Sequence, residues 1–159
     1  MAPKSLLRHK LCVSDVKDLV RGSFEEFIPD LTPSQNTQNL ILCSGKVYYD
    51  LIEARESLRN SKSSIIRVEQ FYPFNMEKFK NIIEPYAKTK RVVWCQEEPE
   101  NMGAWTFLRP SLEEVFGGKL KYVGRAATAS PATGSLTLHK IEQAELVADA
   151  LNQPKMPRT

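Results

Sequence analysis

From Leu40 onward the chain alternates short apolar runs with longer amphipathic stretches. Leu40-Ile41-Leu42-Cys43 is continuously apolar, which predicts a short strand buried on both faces. Ser44-Gly45-Lys46 then turns the chain into a helix with apolar positions Val47, Tyr48, Leu51, Ile52 and Leu58. The run 64–69 predicts a second strand, ended by a turn around Tyr72-Pro73-Phe74. Asn75 is set to cap a helix whose core face is Met76, Phe79, Ile82, Ile83 and Tyr86. Residues 91–95 predict a third strand, left through the loop Gln96-Glu97-Glu98-Pro99. Asn101 opens a helix to Leu108 that Pro110 interrupts, and Ser111-Leu112-Glu113-Glu114 reads as a capping box restarting it as far as Gly117. Residues 120–123 predict a fourth strand. A loop of small residues follows over 124–135, then a helix carrying Ile141, Ala144, Val147, Ala148 and Leu151.

Strands that alternate with helices need crossover connections, and these are right-handed. The pattern therefore predicts an α/β fold: a three-layer sandwich, with a mostly parallel sheet and helices on both faces. Before Leu40 the rhythm differs. Ser14 can cap a short helix through Val16, Leu19 and Val20 that stops at Gly22. Phe24, Phe27, Ile28, Pro29, Leu31 and Pro33 then form an irregular apolar segment, ending in a polar run over 34–39. Three parts result: an amino-terminal arm or linker over 1–38, an α/β domain over 39–152, and a flexible tail over 153–159.

Composition adds bounds rather than a function. At 159 residues the chain has room for one domain with a real core. A net charge of +3 is too weak to point to nucleic acid, and no apolar run approaches membrane-spanning length. The three cysteines (Cys12, Cys43, Cys95) are widely spaced, and with two histidines, His9 and His139, they lack the spacing of a zinc site. Buried thiols in a reducing compartment fit this usage.

Two turns carry the candidate chemistry. At Ser44-Gly45-Lys46 a strand ends, a glycine permits close approach, and a helix begins with free amides beside a lysine. Such a place receives a phosphate or carboxylate, with Arg125 from another strand end completing it. The full phosphate-loop frame is absent, and the alternative is an ordinary turn with Ser44 as helix cap. Glu97 and Glu98 are adjacent, unlike the separated pair that glycoside hydrolysis needs. They suit positioning a cofactor, pairing with Arg91 or Arg125, or an interface. Cys95 as a nucleophile is disfavoured, because neighbouring carboxylates suppress the thiolate. His139 reads as a capping or interface residue, and the loop over 124–135 as a contact to another domain or subunit.

Several of these stretches together resemble one family. Pro3-Lys4-Ser5-Leu6-Leu7-Arg8-His9, Ser44-Gly45-Lys46-Val47-Tyr48-Tyr49, Arg67-Val68-Glu69-Gln70 with Tyr72-Pro73-Phe74, Gln96-Glu97-Glu98-Pro99, Gly103-Ala104-Trp105, and Gly124-Arg125 with Ser130-Pro131-Ala132 are similar, in order, to the carboxyl-terminal signatures of the decarboxylase component of the 2-oxoglutarate dehydrogenase complex. The resemblance departs at Met102, where glutamine is frequent, and at Phe71, often leucine. It implies a transketolase carboxyl-terminal-domain-like sheet and a place at the end of a longer homodimeric enzyme. That enzyme binds thiamine diphosphate and Mg2+ in its earlier domains and succinylates the lipoyl group of the dihydrolipoyl succinyltransferase component. The compartment implied is the bacterial cytoplasm or the mitochondrial matrix. This chain is then expected to hold neither cofactor nor metal, to be catalytically silent alone, and to touch neither nucleic acid nor membrane. Its expected partners are the preceding domains and a second copy. Candidate interface residues are Glu97, Glu98, Trp105, Ser130 and Pro131, and an acyl-CoA or nucleotide phosphate at Ser44, Gly45, Lys46 and Arg125 is the alternative use.

Overall fold

Alternate residues of the central strands enter two separate cores, and this sets the architecture. The computed structural model describes residues 3–33, 36–118 and 120–153. Five strands, β1 (Phe27–Ile28), β2 (Asn39–Cys43), β3 (Ser63–Val68), β4 (Arg91–Pro99) and β5 (Leu120–Arg125), form one sheet in the order β1-β3-β2-β4-β5. All neighbours are parallel except β1, which lies antiparallel on the β3 edge. Leu40 and Leu42 of β2, with Val92 and Trp94 of β4, point to one face and pack with α3 (Met76–Ile83) and α4 (Trp105–Phe116). Ile41, Cys43, Val93 and Cys95 point to the other, against α2 (Val47–Ser57) and α5 (Leu136–Ala150). The three-layer α/β sandwich expected from the alternation is the one observed. The strand order supplies what periodicity does not carry.

Several local expectations are corrected. Asp15, not Ser14, caps α1 (Val16–Arg21): its carboxylate accepts the Lys17 amide at 2.8 Å, and Asp18 reciprocates on the Asp15 amide at 3.3 Å. The segment expected to be irregular contains β1, which brings Phe27 into the core, and the turn after it carries Asp30 inward. Asp30 pairs there with Arg55 of α2; on that helix Tyr49 and Arg55 are buried, whereas Leu58, expected on the core face, is exposed. Asn75 caps α3 as expected, accepting the Lys78 amide at 3.1 Å.

Pro110 does not break α4. The helix runs from Trp105 through it to Phe116, because Trp105, Leu108 and Leu112 hold one buried face across the proline and only a single backbone donor is lost. No capping box forms at Ser111, and Asn101 lies before the helix rather than opening it. In α5 the buried residues are Leu146, Val147 and Ala150, whereas Ile141, expected in the core, is exposed. Most of the expected tail, 154–159, lies outside the described residues.

The arm lies across α2. His9 Nε2 sits 3.3 Å from Glu53, and its ring stands 5.0 Å from that of Tyr49.

Candidate functional site

The sheet has one switch point. From β2 the chain goes to β3 on one side, and β4 then returns to the other side of β2. The helix after β2 covers one face and the helix after β4 the opposite face, so the two exits diverge above the strand ends. Open α/β sheets take ligands in such a crevice. Here it is a cleft of about 390 Å³ whose polar wall is Ser44, Gly45, Lys46, Glu97 and Glu98, whose floor includes Phe71 and Trp94, and whose lip includes Pro3 of the arm.

The cation of its polar wall is already paired within the chain. The Lys46 ammonium sits 2.8 Å from Glu97 and 3.0 Å from Asp50, and Gln143 of α5 donates to the same Asp50 carboxylate at 2.6 Å. Burial pulls the Lys46 pKa down, but hydrogen bonds to Glu97 and Asp50 outweigh it and hold the ammonium above its ordinary value. Gly45 takes a φ of +68°, which a side chain would strain, and its amide faces Glu69 at 3.4 Å. Ser44 does not cap α2; Lys46 occupies the cap position and its side chain makes no capping bond.

Arg125 stands on the far side of Glu97. Its guanidinium donates to the Glu97 carbonyl at 2.9 Å, to Thr133 Oγ1 at 2.9 Å and to the Pro131 carbonyl at 2.8 Å, with Glu142 at 3.8 Å. It lines a separate cleft of about 230 Å³ beside Glu142, Glu145 and Asp149. Lys46 and Arg125 are thus neighbours of one backbone but open into different clefts. Arg91 is distant in role, pairing with Asp149 at 3.0 Å.

Glu97 and Glu98 lie within β4 rather than in a loop. After a register shift the strand continues to Pro99, opposite Arg125. The residue that organises this bend is Gln96, which sequence reasoning passed over. Its side-chain oxygen accepts Trp94 Nε1 at 2.9 Å and the Trp105 amide at 3.0 Å. Its amide nitrogen donates to the carbonyls of Met102 at 2.7 Å, Pro99 at 3.2 Å and Glu98 at 3.3 Å. A methyl group on Gly103 (φ +67°) would stand 2.9 Å from that nitrogen, so the glycine lets the turn close over it. A glutamine ending an apolar run, seven residues before a glycine, is the signal that was available. Of the expected interface residues, Glu98, Ser130 and Pro131 are exposed. Trp105 is buried against Tyr122 at 5.6 Å, and Glu97 is held by Lys46. His139 sits in the first turn of α5, its amide bonded to the Ser135 carbonyl at 2.9 Å.

The thiols are unbridged, and Cys43 and Cys95 are fully buried. Desolvation, then the charge of Glu97, pushes the Cys95 thiol far up; desolvation, then Cys95, does the same for Cys43. In the folded protein an alkylating reagent is therefore expected to label Cys12 and spare Cys43 and Cys95. Mass spectrometry of peptides labelled before and after denaturation checks this, and fast labelling of Cys95 in the folded state contradicts it.

The sequence profile described as 2-oxoglutarate dehydrogenase C-terminal matches residues 13–151. The chain belongs to the 2-oxoglutarate dehydrogenase C-terminal family. Within this family it is 46% identical over 156 residues to a 2-oxoglutarate dehydrogenase E1 component of Haemophilus influenzae, covering 96% of this chain. It is 42% identical over 157 residues to the E1 component of Azotobacter vinelandii, covering 94%. The match spans 17% of the length of each of these two relatives. A solved split-gene transketolase, described as an inactive beta4 tetramer, superposes with a TM-score of 0.55 at 18% identity, covering 81% of this chain and 42% of that one. That likeness supports the fold.

Proposed function

We propose that this chain is the structural and dimerisation domain at the carboxyl end of a 2-oxoglutarate dehydrogenase E1 component. In this reading the whole enzyme decarboxylates 2-oxoglutarate on thiamine diphosphate and Mg2+ and passes the succinyl group to the lipoyl arm of the dihydrolipoyl succinyltransferase component. The citric acid cycle is its setting, in the bacterial cytoplasm or the mitochondrial matrix. No described helix is long and apolar enough to cross a membrane.

The observation that carries the reading is the internal commitment of the polar groups. At the switch-point crevice Lys46 is neutralised by Glu97 and Asp50, and Arg125 is spent on carbonyls and Thr133. The described residues hold no group of three His, Cys, Asp or Glu side chains suited to a metal. The residues present do not fit a magnesium diphosphate, so no chemical step is assigned to this chain.

The folded chain, given thiamine diphosphate, Mg2+ and 2-oxoglutarate, is expected to release no CO2 above the uncatalysed background. Robust decarboxylation would refute the reading. The alternative, a module for a nucleotide or acyl-CoA, requires a phosphate to displace Glu97 from Lys46. Heat on titrating the chain with acetyl-CoA or AMP would turn the reading towards that module.

A further inference from the structure

The amino ends of the strands, opposite the switch-point crevice, carry a second polar cleft whose cations are unspent. Gln38, the residue before β2, donates its amide to the Lys62 carbonyl at 2.9 Å, and its own carbonyl accepts the Arg91 amide at 3.1 Å. The loops that enter β3 and β4 are thereby drawn to one backbone. They border a cleft of about 530 Å³, to which the first loop contributes Ser61 and Lys62 and the second Lys88 and Thr89.

Lys46 and Arg125 each meet a carboxylate in their clefts. Lys62 and Lys88 meet none. Both are exposed, neither ammonium has a partner among the described residues, and no described Asp or Glu lines this cleft. The acids nearest them along the chain are Glu56, which lines a neighbouring cleft with Arg59, and Glu84, four residues before Lys88 but not paired with it. Thr89 adds an independent signal. It lines the cleft, and its Oγ1 is buried without a hydrogen-bond partner. Buried hydroxyls are ordinarily bonded, and an acceptor oxygen in the cleft satisfies this one.

We propose that this cleft binds a small phosphate anion through Lys62, Lys88 and Thr89. Two ammoniums in a concave wall attract a multiply charged anion, and the Ser61 and Thr89 hydroxyls donate to its further oxygens. A phosphate group carries both the charge and the three acceptor oxygens that such a donor set takes. Pro85 is the one apolar residue among the described lining, and no aromatic ring is present, so a nucleotide base or an acyl chain finds no platform. The site therefore differs in place and in ligand from the acyl-CoA alternative at Lys46, and it stands whether or not the domain reading above does.

Amide NMR of the folded chain, titrated with pyrophosphate and separately with glycerol 3-phosphate, tests this. Saturable shifts are expected at Lys62, Lys88 and Thr89, and the tighter probe tells whether the ligand is an inorganic or an organic phosphate. Lys62→Gln with Lys88→Gln is expected to weaken binding by about 10-fold or more, since both charged donors go. Lys140→Gln, on the exposed side of α5, leaves binding unchanged. Thr89→Val is expected to weaken binding about 3-fold without lowering the unfolding midpoint, because the hydroxyl it removes is unbonded in the free chain. A midpoint that falls together with the affinity would make the hydroxyl structural and count against its assigned role. Absence of saturable shifts at millimolar probe overturns the proposal. Binding that survives the double substitution does so too, as does citrate binding equally well, since citrate offers the charge without the phosphate. Shifts centred on Gly45 and Lys46 would overturn this site and favour the module at the switch point.

Discussion

Asp30→Ala is expected to destabilise the chain by about 3–5 kcal/mol, the usual cost of removing one member of a buried ion pair. Asp30 and Arg55 are both nearly inaccessible to solvent, and they bond directly. The same carboxylate accepts the Ile65 amide of β3 at 2.8 Å and the Thr32 amide at 2.9 Å. Alanine leaves a largely buried guanidinium without its counter-charge and a buried strand amide without its acceptor. Asp30→Asn keeps the shape and one acceptor and is expected to cost less. Lys46→Met breaks a half-exposed pair and is expected to cost about 1 kcal/mol or less, since solvent screens such pairs. Denaturant unfolding of the three variants ranks them. A loss below about 1 kcal/mol for Asp30→Ala would mean that the arm is not fastened through this carboxylate.

The second large effect belongs to Gln96. Gln96→Leu preserves volume but leaves the Trp94 and Trp105 donors without an acceptor and the Met102 carbonyl without its donor, while the Pro99 carbonyl keeps only the Met102 amide. Each stranded buried group costs about 1–3 kcal/mol, against a small gain from the apolar side chain, so a net loss of about 3 kcal/mol is expected. The near-ultraviolet signal of the two tryptophans and the unfolding midpoint report it together. Gln96→Glu gives a pH signature. Its carboxyl would face carbonyl oxygens, which favour the protonated form and raise its folded pKa above the unfolded value. The stability of that variant is therefore greatest below the unfolded carboxyl pKa and falls as pH rises through the folded one. A variant equally stable at acidic and neutral pH would contradict the assigned bonds.

The alternation of apolar runs and amphipathic stretches made β2 to β5 and their helices legible, because each core element repeats its pattern for four residues or more. β1 has only Phe27 and Ile28, too few for any period to show, and its place depends on β3 far along the chain. Pro110 and Glu97-Glu98 misled for a related reason. Locally they are breakers, but a continuous buried face on α4 and the partners Lys46 and Arg125 override them. The cations of the candidate site were visible in sequence. Their partners were not, since Lys46 meets Glu97 and Arg125 meets Glu142 only once the strands are ordered. Gln96 is the clearest omission, because a neutral side chain carries no charge pattern to flag it.

The strand order also bears on how the chain is assembled as it is made. β2 is central, β3 joins its one side, β4 its other, and β5 extends β4, so from β3 onward each strand meets a waiting edge as it emerges. β1 and β2 are both synthesised before any neighbour exists, β1 being the earlier, and Asp30 precedes both Arg55 and Ile65. Until β3 is translated, β1 has no strand to lie against and that carboxylate lacks the Ile65 amide. This interval is when a nascent chain is most exposed to misassociation.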